Sequence, residues 1–498
     1  MLLLQPAVLA AAAASGGVVY IWSCITSPLW KIPGPWYSAF TSLVLRYHEL
    51  KARRTSYIHA LHLLYGPAVR IAPNETAFAS VESIKEIYAS GGSGYDKTEF
   101  YNLFMVYGRR TMFSTLGKDD HARRKRVLAD RYANTNVQRS ASIDGIHERA
   151  GWFLDRCTAS VGRNIDIFVN LHNYAFDCVT HHLFHPYGSE SLRNPRDEEI
   201  QRQVTFDDSL QNRVIKHHYP LLHRLTGDLL AFFGATPRET PLADDLVLSA
   251  AARPDPARFT VVSRMQEKAH GLDHTGVAAE CLDHMAAGID TTGDALCFLM
   301  WELSQPRSMH VQRRLQRELR ENNSRPDAAD GQSKRFDELP YLDAVVNEGL
   351  RCFPAIPMSL PRYVPRGGRT IEGYFVPERT VVSCQAYSTH RIDEAVWPEP
   401  ELFDPERWLG GRGDDLGGSV EMERKRLFFA FANGGRGCIG KHLALSEMKI
   451  LLQAIYSRFT TLPDESSGMT DADMAMADQI ISSQPRGKRC LLRMVPID

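Results

Sequence analysis

The sequence predicts a mainly α-helical protein in which one long apolar helix crosses the interior and another apolar helix precedes the folded part. Residues 276–303 read as a single helix with little polar surface, which is typical of a helix buried on most sides. Residues 7–27 carry no charged side chain and are long enough as a helix to cross a bilayer core. With 44% hydrophobic and 23% charged residues, the 498-residue chain has ample material for a large core.

Charge and cysteine usage exclude two classes of protein. The net charge of -1 provides no global field that would favour nucleic acid, so we expect no nucleic-acid partner. The nine cysteines are odd in number and scattered along the chain, which suits free thiols in a reducing compartment and not a disulfide scaffold.

The N-terminal segment predicts a membrane anchor. A cleaved signal peptide is the alternative, but no basic residue precedes the apolar stretch. Basic residues follow it instead, beginning at Lys31, and this asymmetry favours a cytoplasmic location for the rest of the chain. We therefore expect an anchor and hinge over residues 1–29. The sequons at Asn74 and Asn322 would then carry no glycan. By its length the rest of the chain, residues 30–498, could hold one large domain or two to three ordinary ones.

The stretch "DDHARRKRVLADRY" predicts a basic amphipathic helix. It places His121 and Lys125 one helical turn apart on one face, with several arginines around them. Such a helix can bind an anionic ligand, acidic lipid, RNA or an acidic partner protein, and sparse aromatic residues make RNA the weaker choice. A basic face that is merely solvated fits the pattern equally well.

Three polar residues interrupt the long apolar helix, namely Asp290, Thr291 and Thr292. A buried acid costs free energy unless it is hydrogen-bonded or used in chemistry, so the interruption indicates a proton relay. The alternative is a helix bent by a threonine that bonds backward to a carbonyl, with a solvated aspartate beside it.

The stretch "FDELPYLDAVVNEGLRCFPAIP" predicts a short helix with one apolar face. Glu348 and Arg351 stand at i and i+3, close enough for an ion pair, and "FDPERW" supplies Arg407 as a second basic partner. A carboxylate that bridges two guanidiniums would tie this helix to the following loop, which is a structural role and not a catalytic one.

The stretch "FFAFANGGRGCIGKHLA", residues 428–444, matches two incompatible motifs. Gly435, Gly437 and Gly440 form G-x-G-x-x-G, the pattern of a dinucleotide site, but too few residues follow for a doubly wound domain. The second pattern, F-x-x-G-x-R-x-C-x-G, presents one cysteine to a metal through Phe431, Gly434, Arg436, Cys438 and Gly440.

A single cysteine cannot build a zinc site, whereas haem needs only one or two protein ligands. An amphipathic helix follows the loop, and its positive dipole end would lower the pKa of the Cys438 thiol. The apolar face of this helix is predicted at Leu445, Met448, Leu452, Ile455 and Phe459. A structural cysteine in a glycine-rich turn remains the alternative, and the loop alone does not decide.

The order of the motifs along the chain decides between a haem ligand and a structural cysteine. "AAGIDTT", "NEGLR", "FDPERW" and "FANGGRGCIG", after an apolar leader and "IPGP", closely resemble the cytochrome P450 family over essentially the whole chain. "LPRYV", "GYFVPERTVVSCQAYSTHR" and "CIGKHLALSEMK" resemble membrane-bound fungal members that tailor secondary metabolites. The resemblance implies a mainly α fold with small β-sheets, a long central helix over haem b, and an N-terminal membrane helix.

The resemblance also implies a role for each motif residue. Cys438 is the axial ligand of the haem iron, with Phe431, Gly434 and Gly440 shaping its loop. Asp290 and Thr291 manage protons, with Thr292 behind them, and Glu348, Arg351 and Arg407 form the structural lock. The haem propionates are faced by Arg436, Arg362, His121 and Lys125. One departure stands out, because the family commonly has Trp and Arg where His121 and Lys125 stand.

The implied function is a monooxygenase that inserts one oxygen atom from O2 into an apolar small molecule, with electrons from NADPH–cytochrome P450 reductase. The implied location is the endoplasmic reticulum membrane, single-pass, with the catalytic domain in the cytoplasm. The G-x-G-x-x-G match is then incidental. Two alternatives stay open at this point: a haem-thiolate enzyme that rearranges, dehydrates or couples its substrate, and a non-catalytic haem sensor. The substrate pocket is expected to be lined by residues 95–108, 205–234, 355–360 and 474–482.

Overall fold

The structure is a computed structural model that describes residues 6–89, 94–205, 209–236, 240–267, 271–323, 335–410 and 417–497. The first five residues of the predicted anchor, residues 206–208 of the expected pocket lining, and the last residue of the predicted domain lie outside this set.

The prediction of a mainly helical fold with small sheets is confirmed. The helices within the described residues are α1 (Pro6–Thr26), α2 (Leu43–Leu50), α3 (Arg54–Tyr65), α4 (Val81–Ile84), α5 (Lys118–Tyr132), α6 (Asn134–Val137), α7 (Ser140–Ala159), α8 (Ile167–Phe184), α9 (Pro195–Thr205), α10 (Leu210–His218), α11 (Pro220–Phe232), α12 (Pro241–Ala252), α13 (Val261–Met265), α14 (His274–Ser304), α15 (Met309–Asn323), α16 (Pro340–Cys352), α17 (Ala386–Thr389), α18 (Gly417–Leu427) and α19 (Lys441–Tyr456).

The strands are short and form four small sheets. A mixed sheet has the order β1-β2-β8-β5-β3, in which only β2 and β8 run parallel, and the others are β4-β12-β9, β10-β11 and β6-β7. The strands are β1 (Ala68–Ala72), β2 (Glu75–Phe78), β3 (Asp96–Lys97), β4 (Asn164–Asp166), β5 (Arg362–Tyr363), β6 (Arg369–Ile371), β7 (Tyr374–Val376), β8 (Val381–Cys384), β9 (Phe459–Pro463), β10 (Met476–Asp478), β11 (Ser483–Pro485) and β12 (Leu491–Pro496).

The predicted central helix is α14, and it runs through the largest apolar core of the described residues. Its most extensive helix–helix contact is with α8. Two glycines allow this close approach: a Cβ atom at Gly288 would lie 2.7 Å from the Val179 side chain, and one at Gly293 would lie 3.0 Å from the His172 ring. Any larger residue at either position would push α8 away from α14.

The helix after the glycine-rich loop is α19, and its Met448, Leu452 and Ile455 are buried as predicted. The prediction that Phe459 continues this face is wrong. Helix α19 ends at Tyr456, and Phe459 opens β9, where it lies opposite Pro496 of β12. A single apolar residue after a helix can continue the helix or begin a strand, and the pairing of β9 with β12 makes Phe459 part of a strand.

Two helices lie on the outside of the domain. Val8–Thr26 within α1 is long and apolar enough to span a membrane, the one such helix in the part of the chain that the structure describes. Helix α11 has no buried residue, and its leucines and Phe232 are exposed. Both helices present apolar surface that the described residues leave uncovered.

Candidate functional site

Backbone hydrogen bonds hold the glycine-rich loop in one shape. The Cys438 amide donates to the Phe431 carbonyl at 2.9 Å, and the Gly437 amide donates to the Gly434 carbonyl at 3.0 Å. Gly434 has a φ of 67°, and a Cβ atom there would lie 2.0 Å from the Tyr88 carbonyl oxygen. Only glycine fits this position, because it tolerates a left-handed backbone and leaves room for the neighbouring chain.

The Cys438 thiol faces an internal space. All nine cysteines are free, and Cys438 is the one whose side chain is exposed. It is nevertheless deep in the molecule, since burial raises the pKa of the Cys438 thiol, while the Gly440 amide and the Lys125 ammonium lower it. An exposed sulfur at this depth indicates an open space beside it, and Cys438 lines a cleft together with Lys125, Phe431 and Lys441.

Five basic side chains surround the same space, and three of them are almost fully buried: Lys97, His121 and Arg362 are at most 4% exposed. Lys97 and Arg362 lie directly opposite each other on the paired strands β3 and β5, an unfavourable arrangement of like charges. Burial and the neighbouring cations hold the pKa of Lys97 well below its usual range and lower the pKa of His121 to about 3. The other two cations are Lys125 and Arg436. We call these five residues the cationic cluster.

The cationic cluster is incompletely paired. Arg436 donates through Nη2 to Asp96 at 3.3 Å, but its buried Nη1 has no hydrogen-bond partner within the described structure. Arg362 donates through Nη1 to the Tyr101 hydroxyl at 2.7 Å. A buried donor without an acceptor costs free energy, so this donor set is suited to an anionic ligand.

Helix α14 contributes a partly uncovered face midway along its length. Asp283, Ala287, Asp290 and Thr291 recur at one-turn spacing and are partly or fully exposed, although the residues around them are mostly buried. Lys97 is within electrostatic reach of both Asp283 and Arg436. The α14 face and the cysteine loop therefore border the same region of the interior.

Asp290 and Thr291 are held in defined positions on this face. Thr205 at the end of α9 donates to Asp290 Oδ1 at 3.2 Å, and the Thr291 hydroxyl donates to the Ala287 carbonyl at 2.6 Å. Desolvation raises the pKa of Asp290 to about 7, against a smaller lowering effect of the Thr205 hydrogen bond. At that pKa the carboxyl can both hold and release a proton near neutral pH.

Thr292 points the other way, into the core. Its hydroxyl donates at 3.3 Å to Glu447 on α19, whose other carboxylate oxygen has no partner among the described residues. Burial raises the pKa of Glu447 to about 8, so this carboxyl carries a proton at neutral pH.

Glu348 lies at the centre of a fully paired network. Its carboxylate accepts bonds from Arg351 at 2.8 and 2.9 Å, from Arg407 at 3.2 Å, and from the Asp404 amide and the Trp408 indole, both at 2.9 Å. Glu348 and Arg351 are completely buried, and Arg351 also donates to the carbonyls of Pro400 and Leu402. Helix α16 is thereby tied to the segment that leads to the cysteine loop.

Residues 32–491 match the family profile described as Cytochrome P450. The chain belongs to the cytochrome P450 family. Similar curated proteins include cytochrome P450 monooxygenase orf2 of Aspergillus niger, 28% identical over 95% of this chain and 94% of the relative. Cytochrome P450 monooxygenase stcB of Emericella nidulans is 28% identical over 94% of this chain and 89% of the relative. Cytochrome P450 monooxygenase aflV of Aspergillus parasiticus is 26% identical over 94% of this chain and 92% of the relative.

The residues of this P450 fit a haem with a cysteine ligand, as in the rest of the family. One thiol faces the open space, no group of three His, Cys, Asp or Glu residues able to hold a metal occurs in the described ranges, and the cationic cluster suits two carboxylates. Its unpaired Arg436 Nη1 is a donor that such a carboxylate would satisfy.

The structure places most sequence-predicted residues of this P450 around one space, with one difference. Lys125, predicted at the propionates, donates its ammonium to the carbonyls of Gly435 and Gly437 at 3.0 and 2.8 Å. Thr292, predicted behind Asp290 and Thr291, contacts Glu447.

The sequence analysis assigned no individual role to Lys97, Thr205 or Glu447, although Lys97 and Thr205 lie within the predicted pocket lining. Strand β3 has two residues, too few for a periodicity, and its pairing with β5 is a long-range contact. The sequence offered one signal, and it concerns Glu447: this glutamate interrupts the apolar run "LALSEMKILL", at a position where an apolar residue would be expected.

Proposed function

We propose that this P450 is a haem-thiolate monooxygenase that inserts one oxygen atom from O2 into an apolar small molecule. The observation that carries the proposal is the exposed interior thiol of Cys438 between a partly unpaired cationic cluster and the Asp290–Thr291 face. Cys438 would bind the iron of haem b through its sulfur, and Lys97, Arg362 and Arg436 would hold the haem carboxylates. When bound, haem supplies dioxygen activation, favoured by electron density from the thiolate.

Protons reach the reacting oxygen through the α14 face. Asp290 has a pKa of about 7, so it is protonated in part at neutral pH and can donate a proton and be recharged. The Thr291 hydroxyl lies on the same face, where its oxygen can orient a water. Because most of the surrounding α14 residues are buried, Asp290 and Thr291 provide the polar route for protons along this face.

The substrate is a small apolar molecule, and a tailoring step in fungal secondary metabolism fits the relatives. Part of the predicted lining, residues 95–108, is aromatic: the half-buried Phe104 packs edge-on against the half-buried Phe113, with ring centroids 5.1 Å apart, and the fully buried Tyr101 lies 5.3 Å from Phe113. Apolar walls bind by area and shape, with little hydrogen-bond discrimination.

Electrons come from NADPH–cytochrome P450 reductase. The outer side of α5 carries exposed basic residues such as Arg123, and Lys441 and His442 are exposed at the start of α19. This basic surface lies next to the cleft that borders Cys438, where an acidic partner domain would approach the thiolate side.

Residues 1–29 anchor the chain in the endoplasmic reticulum membrane, and residues 30–498 form the cytoplasmic catalytic domain. Exposed apolar helices α1 and α11 support this placement. One end of each helix lies close to the segment around α2: Arg46 of α2 donates at 2.9 Å to the hydroxyl of Tyr219, which immediately precedes α11, and the Tyr20 hydroxyl of α1 donates at 2.6 Å to the carbonyl of Phe40, which precedes α2.

The test of function is spectroscopic and then chemical. Reduced protein under carbon monoxide should show the red-shifted Soret band of thiolate ligation, and Cys438→Ser should abolish it. With the reductase, NADPH and a bound apolar substrate, product should carry one atom of 18O from labelled O2. Product without NADPH would support rearrangement instead, and haem binding without any turnover of a tightly bound substrate would support a sensor.

The test of location is protease protection. Protease added to sealed microsomes should digest the domain. Asn322 is buried and the Asn74 amide donates to the Arg379 carbonyl, so neither sequon should carry a glycan. Full protection, or a glycan at either position, would contradict the topology.

A further inference from the structure

We propose that Lys125 is a positioning residue that fixes the cysteine loop, and that it does not bind a haem carboxylate. The inference rests on the proposed role of Cys438 as the iron ligand. It departs from the role that the family resemblance implies for this position.

The geometry is that of a clamp. Lys125 lies midway along α5, and its ammonium donates to the Gly435 carbonyl at 3.0 Å and to the Gly437 carbonyl at 2.8 Å. Gly437 immediately precedes Cys438 in the chain. Two charge-assisted bonds thus connect a rigid helix to the backbone on the N-terminal side of the sulfur.

Within the described structure, Lys125 is the member of the cationic cluster that donates to carbonyls of the cysteine loop. Arg362 Nη1 donates to the Tyr101 hydroxyl and the Pro361 carbonyl, and the Lys97 ammonium donates to the Phe113 carbonyl. Arg436 keeps a buried Nη1 free of any hydrogen-bond partner in the described structure. Lys125 instead lines the cleft with Phe431, Cys438 and Lys441, and two of its three N–H donors are already used by the loop. The carboxylate-binding capacity of the site therefore resides mainly in the remaining cations.

The residue type matches the clamp. A lysine ammonium is a compact charge whose three donors diverge from one atom, so it can serve two carbonyls at once. An arginine fork is planar and suits a carboxylate that accepts two parallel bonds. A lysine at this position therefore favours the loop carbonyls as its partners.

The clamp predicts a specific failure when it is removed. The haem should stay, because its carboxylates are held elsewhere. The loop should hold the sulfur less firmly, so that the thiolate-ligated form changes more readily to the neutral-thiol form, which absorbs at shorter wavelength as the carbon monoxide complex. If Lys125 instead bound a haem propionate, its removal would have the opposite effect: the haem would be lost faster and the thiolate band would stay intact.

The experiment compares Lys125→Met with Lys441→Met. Lys441 lies in the same cleft and within electrostatic reach of Cys438, and its ammonium lies 5.7 Å from the Phe431 ring centroid, so this control removes a similar charge without the Lys125 clamp bonds. Two quantities are measured for each variant: the urea dependence of the thiolate Soret band of the ferrous carbon monoxide complex, and the rate of haem transfer to apomyoglobin.

We expect Lys125→Met to shift the equilibrium between thiolate and neutral-thiol forms by about 10-fold, as for the loss of a hydrogen bond to a charged group. Lys441→Met should shift it by less than about 2-fold, as for an exposed charge. Haem transfer should change little in either variant. Lys125→Gln, which keeps a neutral donor, should lie between Lys125→Met and the parent, and it replaces Lys125→Met if that variant does not accumulate.

Three results would overturn the proposal: haem loss accelerated with an intact thiolate band, an equal effect of Lys441→Met, or a Lys125→Gln variant no different from the parent. A parent protein without a thiolate band would instead refute the proposed function, so the two failures are distinguishable.

Discussion

The lock around Glu348 and the cationic cluster around Cys438 are both buried and charged, yet they are built on opposite principles. In the lock one carboxylate meets two guanidiniums and two further donors, all within 3.2 Å. In the cationic cluster five basic residues share one ion pair in the part of the chain that the structure describes, from Arg436 to the partly exposed Asp96 at the edge, and Asp283 lies within electrostatic reach of Lys97. The first arrangement is complete by itself, and the second is not.

The difference indicates which region is structure and which is a binding site. A complete network stabilises the chain whether or not a ligand is present, and losing one member leaves a charge buried alone. An incomplete cluster of like charges destabilises the chain until an anion arrives, and part of the ligand's binding free energy offsets that cost. In the ligand-free protein, removing a charged side chain from the lock should therefore lower the free energy of unfolding. Removing one from the cationic cluster should leave it unchanged or raise it.

The largest effect is expected in the lock. Glu348→Ala leaves Arg351 and Arg407 buried without their shared carboxylate, which typically costs about 3–5 kcal/mol. That is a large share of the stability of a domain, so little haem-loaded protein should accumulate. Urea unfolding and haem content measure it. The matched control is Glu421→Ala, which breaks only the surface pair with Lys425 and should leave both quantities unchanged. A Glu348→Ala protein as stable as this control would refute the structural role.

The next effect concerns Asp290, whose carboxyl we place in proton transfer and not in a structural network. Asp290→Asn should slow NADPH consumption by about 100-fold, since general acid–base groups typically contribute at least that much. Asp294→Asn, one turn further along α14, removes a second buried carboxyl and should not slow NADPH consumption.

Thr291→Ala should leave the rate of NADPH consumption nearly unchanged, while peroxide is released in place of product. Unchanged product per NADPH in Thr291→Ala would favour haem-catalysed rearrangement over monooxygenation.

A smaller effect is expected in the cationic cluster, where one substitution should weaken haem binding without lowering the stability of the haem-free protein. Lys97→Met removes a buried cation that lies opposite Arg362, so the haem-free protein should be as stable as the parent or more stable. Haem transfer to apomyoglobin should become about 10-fold faster, because a charge-assisted bond to the ligand is lost. Urea unfolding of the haem-free protein checks the first statement. Destabilisation comparable to that of Glu348→Ala would abolish the distinction between the two regions.

The last effect is a pH dependence that separates two buried glutamates. Glu447 meets Thr292 in place of guanidiniums, and burial raises its pKa from 4.5 to about 8. Between those values the folded chain keeps a proton that the unfolded chain has lost, so this group lowers stability as pH rises, by up to about 1.4 kcal/mol per pH unit. Glu447→Gln should remove that slope in urea unfolding. An unchanged slope in Glu447→Gln would show that other groups cause it.

The sequence by itself predicted the helices that carry the site and the loop that presents the thiol. Helices α16 and α19 follow from apolar periodicity, α14 from a long run with little polar surface, and α5 from basic residues at helical spacing. Each of these is a signal within one segment. The loop around Cys438 depends on a glycine pattern that is equally local. The i,i+3 pairing of Glu348 with Arg351 follows from helix geometry alone.

The tertiary structure decided everything that depends on distant segments meeting. Lys97 joins the cationic cluster because β3 pairs with β5, and Thr205 reaches Asp290 because α9 packs on α14. Lys125 bonds to loop carbonyls because α5 lies along the cysteine loop, a distance that no spacing in the sequence encodes. Local periodicity determines which face of an element is apolar. Which charged side chain faces which carbonyl is determined only when the elements have packed.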